Sequence, residues 1–198
     1  MKKALLHATL KLSMEEYTET ISSLVFEHYQ RAMSEEALFR ALDITGEAQT
    51  HFSMEYSTVL LVIAALAFKR KPKMTSEKYQ EQIRKSAALQ VYQKIMPDGD
   101  EETIRGCVEF FEGKRAVFEQ ICRNIYQKET SARQKDIIGF ARYLAAQVST
   151  RDEKSNTKAL ECLGILLSTA TDTFVALIEN SIQDTMGWNR KPSFTVQK

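Results

Sequence analysis

Between residues 59 and 68 the chain carries no polar position on any face. Val59, Leu60, Leu61, Val62, Ile63, Ala64, Ala65, Leu66, Ala67 and Phe68 follow one another without a break. A helix that is apolar all round must be surrounded by others. This stretch, the second half of a helix predicted over residues 47–71 and stopped by Pro72, is therefore the expected centre of the fold. Leu61 and Leu66 are both expected to be nearly fully buried.

Elsewhere the apolar positions recur with helical spacing. Tyr17, Ile21, Leu24, Val25 and His28 form a stripe on a helix over residues 14–33, entered through the capping-box spacing of Ser13 and Glu16. Ser34 is the expected cap of a short second helix ending near residues 41–43, with Gly46 closing the turn. A fourth helix opens at Ser76, with Ile83, Ala87, Val91 and Ile95 on one face. Pro97 and Gly99 make a turn, and Asp100 caps a fifth helix. Ile104, Phe111, Phe118 and Ile125 recur there every seven residues, the mark of a packed seam. A sixth helix is expected over residues 131–149 and a seventh over 156–186, ended by Gly187.

The two ends read differently. Ala4, Leu6, Ala8, Leu10 and Leu12 alternate with mostly polar neighbours, the period of an extended segment. Phe194, Thr195 and Val196 are strand formers near the other end. At least one of these segments is expected to pack on the helical body. The predicted architecture is thus an all-α, single-domain bundle of about seven helices around a buried central helix, with short extended segments at its ends. Residues 1–187 form the bundle and residues 188–198 a C-terminal tail, in which Trp188 is expected to anchor on the core.

Composition supports that class. Only 3 Pro and 7 Gly interrupt 198 residues, too few turn formers for a sandwich or a doubly wound sheet. Four of those glycines, Gly106, Gly113, Gly139 and Gly164, fall inside predicted helices, where close helix crossings are the expected reason. The longest apolar run is about half of the ~20 residues that cross a bilayer, and no targeting or membrane segment is predicted. Cys107, Cys122 and Cys162 stand alone in amphipathic stretches and read as reduced core thiols of a cytoplasmic protein. With 27 basic and 26 acidic residues, broad phosphate neutralisation is not expected.

Candidate chemistry is sparse. No phosphate loop, dinucleotide fingerprint, nucleophile elbow or zincin motif is present. The di-iron bundle signature needs Glu three residues before His; Ala4, Val25 and Ala48 stand before His7, His28 and His51. Asp98, Asp100, Glu101 and Glu102 resemble a calcium loop, but Thr103 occupies the place where that loop needs Gly.

Glu47, His51 and Glu55, four residues apart, share one helical face and are the candidate metal or acid–base site. Lys69, Arg70, Lys71 and Lys73 are the candidate anion or nucleic-acid contact, against the simpler role of basic residues at a helix C-terminus. No catalytic residue and no cofactor is assigned.

The expected function is a non-enzymatic helical interaction or scaffold protein, assembling with itself or with another protein. The alternatives are a small-molecule or metal-binding protein or enzyme with a pocket among the helices, and a nucleic-acid-associated protein.

Overall fold

In the computed structural model, which describes residues 10–12, 14–69, 77–122, 124–126, 130–149 and 156–183, the centre is α3 (Glu47–Lys69). Phe52, Tyr56, Val59, Leu60, Val62 and Ile63 of this helix are completely withdrawn from solvent. Around it pack α1 (Met14–Met33), α4 (Glu77–Ile95), α5 (Glu101–Ile121), α6 (Thr130–Val148) and α7 (Thr157–Asn180). The short α2 (Glu36–Leu42) lies against α7. The described residues form an all-α bundle of seven helices around a buried central helix.

Each surrounding helix turns its apolar stripe inward. On α1, Tyr17, Ile21, Val25, His28 and Ala32 are buried, at spacings of three or four that follow the 3.6-residue turn. On α5 the stripe is Ile104, Cys107, Phe111 and Phe118. Its heptad continues to Ile125, which is buried in the turn beyond the helix end. Asp100 caps α5 by accepting from the Thr103 N–H at 2.7 Å, which satisfies one free donor of the first turn. α2 ends on Asp43 in the left-handed region (φ 58°), and Gly46 follows at φ 56°. Asp is one of the few side chains that tolerate that backbone, and Gly has no Cβ to clash there.

Several expectations are corrected. Leu66 is only partly buried, because it lies near the end of α3, one turn beyond the fully buried Val62, whereas Leu61 is only 3% exposed. Ser34 does not cap α2; Glu35 holds that position without a side-chain bond, and the Ser34 hydroxyl donates back to the Arg31 carbonyl. Close crossings do not explain the helical glycines. Among the described residues, a Cβ added at Gly106, Gly113 or Gly164 would meet nothing within 4 Å, and one at Gly139 would reach only the Ile121 side chain at an ordinary 3.6 Å.

The last helix stops at Asn180, short of the expected residue 186, and the chain continues as a strand, β2 (Ser181–Gln183). It pairs in parallel with β1 (Leu10–Leu12), placing Leu10 opposite Ser181 and Leu12 opposite Gln183. The alternating N-terminal segment therefore does extend onto the bundle at its last three residues. Trp188 and residues 194–196 lie outside the described residues.

Two stretches, Glu47–Ala67 and Thr157–Leu177, have the length and apolar composition of membrane-crossing helices. The first is the core helix, with 67% of its residues buried among its neighbours, against 33% for the second.

Candidate functional site

One carboxylate sits where carboxylates rarely go. Glu55 lies one turn after Phe52 and one before Val59 on α3, and it is fully buried. A charge so placed is costly unless it is paired and hydrogen-bonded. Two helices distant in sequence supply the partners. From α5, the Lys114 ammonium donates to Glu55 Oε1 at 2.7 Å. From α6, the Tyr143 hydroxyl reaches Glu55 Oε2 at 3.3 Å and accepts from Lys114 Nζ at 2.9 Å. His51, one turn earlier on α3, brings Nε2 to 3.4 Å from Oε1. The cluster opens to solvent on one side, since the Lys114 and His51 side chains are 31% and 49% exposed.

Aromatic rings surround the cation. Lys114 Nζ stands 5.2 Å from the centre of the Phe110 ring and 5.7 Å from that of Tyr143, within cation–π range. Phe118 meets the Tyr143 ring edge-on at 4.9 Å.

The electrostatics define what this arrangement can do. Partial burial works against the Lys114 charge, but the bonds to Glu55 and Tyr143 outweigh it and hold the ammonium above the ordinary lysine range. Tyr143 is also held above the usual phenol value, first by burial and then by the Glu55 charge, with Lys114 opposing. At neutral pH the site thus presents an ammonium and an intact phenol. A nucleophilic or Schiff-base lysine needs the opposite shift. The geometry is that of a clamp fixing α5 and α6 against α3.

Of the residues expected from sequence, Glu55 and His51 meet in this cluster. Glu47 does not join them; it stands exposed in the first turn of α3, where its charge complements the helix dipole. Among the described residues no group of three His, Cys, Asp or Glu side chains is placed to hold a metal ion. Lys69 is the last residue of α3, and Arg70, Lys71 and Lys73 lie outside the described residues. His28 is buried beside Phe174, and burial lowers its pKa. Among the described residues Cys107, Cys122 and Cys162 form no disulfide.

Lys114, Tyr143 and Phe110 are what sequence reading missed. The available signal was Lys114 itself, a cation between Phe111 and Phe118 on a helix whose seam is otherwise apolar. The chain matches no family model, no curated protein and no solved structure, so the site and the bundle stand on their own geometry.

Proposed function

We propose that the chain is a non-enzymatic interaction protein that assembles with copies of itself through the outer faces of its helices. The observation that carries this reading is on α5. Gly106 and Gly113 lie in its interior, each weakening the helix by about 1 kcal/mol relative to Ala. Both are solvent-exposed, and nothing within the described residues would touch a Cβ at either. Packing among the described residues therefore supplies no reason for them.

They fall in register with Phe110 and Val117, at spacings of four, three and four, so that all four line one helical face. Val117 is 51% exposed, the reverse of what an apolar side chain gains from folding. Glycines alternating with large apolar residues let a second helix approach closely, in the manner of knobs over small holes.

A metal or acid–base role for Glu47, His51 and Glu55 has less behind it, because Glu55 is already held by Lys114 and Tyr143.

The test is the double substitution Gly106→Ala with Gly113→Ala. Better helix propensity should raise the melting temperature by several degrees, about 2–4 °C per kcal/mol at this size. The added methyls should at the same time hold the partner helix away, and the mass by light scattering should fall towards the monomer. A parent protein that is monomeric at every concentration, with a variant that is merely more stable, would remove the reading.

A further inference from the structure

The charges beside the α5 face say what packs on it. Among the exposed residues of α5, Glu101, Glu102 and Glu109 are acidic and Arg105 alone is basic. Arg115 is engaged with Glu112 and Glu119, and Lys114 with Glu55. The outer face of α6 has the opposite sign. Lys135, Ile138, Arg142 and Ala146 are all exposed there, at spacings of three, four and four, with Ile138 41% exposed. The single acid of α6, Asp136, is buried and accepts from the Asn124 N–H at 2.6 Å.

The two faces adjoin. Lys114 of α5 reaches Tyr143 of α6 at 2.9 Å, and Gly139 of α6 lies against Ile121 of α5. One side of the bundle thus carries an acidic apolar ridge next to a basic apolar ridge.

Resting on the reading of the chain as self-assembling, we propose that the occupant of this surface is a second copy related by a two-fold axis. The α5 face of each copy (Gly106, Phe110, Gly113, Val117) lies on the α6 face of the other (Lys135, Ile138, Arg142, Ala146). Adjacent ridges of opposite sign make this contact self-complementary, so it closes as a dimer. Packing α5 on α5 would set glutamates against glutamates, and packing α6 on α6 would set bases against bases; both are disfavoured.

The experiment uses two full-length variants. One reverses the acidic ridge (Glu102→Lys with Glu109→Lys), and the other reverses the basic ridge (Lys135→Glu with Arg142→Glu). Sedimentation over a concentration series should show the parent as a dimer. Each variant alone should associate at least about tenfold more weakly, because like charges then face each other. Mixed in equal amounts, the two should form a heterodimer with close to parental affinity. Circular dichroism should show both variants folded, with the parental helical spectrum.

A dimer indifferent to both reversals, or a mixture that stays monomeric, would overturn this interface while leaving self-assembly intact. A parent that is monomeric throughout would overturn both.

Discussion

Lys114 holds Glu55 across the junction of two helices, ammonium to carboxylate at 2.7 Å, and it does so from a half-open position above a carboxylate that is completely enclosed. The asymmetry sets the outcome of cutting either side. Lys114→Ala leaves a buried carboxylate with Tyr143 and His51 beside it but no lysine to pair its charge, whereas Glu55→Ala leaves an ammonium that can turn to water.

Lys114→Ala is therefore expected to cost about 3–5 kcal/mol, the range for stranding a buried charge. Glu55→Gln should cost less, since the amide stays hydrogen-bonded to Tyr143. Urea unfolding of both variants measures the difference. Equal losses would mean that the pair acts as an ordinary surface bridge, worth ~1 kcal/mol or less.

Burial, partly offset by Glu27 and reinforced by Arg31, lowers the His28 pKa below the ordinary 6.5. Below about pH 6.5 the unfolded chain then takes up a proton that the folded chain refuses, so stability must fall as pH falls through this range. The loss ends once the pH drops below the folded-state value. Urea midpoints at about pH 7.5 and 5.5 should decline more steeply in the parent than in His28→Gln, and parallel declines would assign the acid sensitivity to other groups.

Two buried tyrosines should respond in opposite directions to loss of the hydroxyl. The Tyr56 hydroxyl has no hydrogen-bond partner among the described residues, and burial drives its pKa far up. Tyr92, pushed up to about 12 chiefly by burial, pairs with Thr58 at 3.1 Å. Tyr56→Phe should stabilise by about 1 kcal/mol, because an unbonded buried hydroxyl is a net cost. Tyr92→Phe should destabilise by a similar amount. A loss in Tyr56→Phe comparable to that in Tyr92→Phe would show that the Tyr56 hydroxyl does find a partner in solution.

Within the central helix, Leu61→Ala should cost about 2–5 kcal/mol, as at other enclosed leucines. Leu66→Ala should cost less than half as much, because its side chain already meets solvent. Chemical denaturation of the two variants gives the ratio directly.

The central helix was legible because residues 59–68 leave no face for water, and the cap at Asp100 because its role is local to one turn. The clamp was not. Glu55 is assigned to a face by its spacing from His51, but spacing alone does not say that α5 and α6 arrive over that face with Lys114 and Tyr143, 59 and 88 residues further on. The helical glycines misled for a related reason: their cost is visible in sequence, but whether a neighbour fills the space above them is a fact of three dimensions. The stop of α7 at Asn180 has no strong local signal, and the pairing of β2 with β1 decides it.

That pairing also fixes an order of events. β1 precedes α1, β2 follows α7, and the seven helices between them must all have been synthesised before Leu10 can meet Ser181. During synthesis the β1 segment emerges early and waits, unpaired, until nearly the whole bundle has left the ribosome. Closing so long a loop is favourable only after the helices have already brought the two segments together. The three-residue ribbon is thus a latch, the last part of the described structure to form and the first to open. Exchange of the β1 amide that faces β2 should be far faster than exchange in α3, and it reports the opening of the latch separately from unfolding of the bundle.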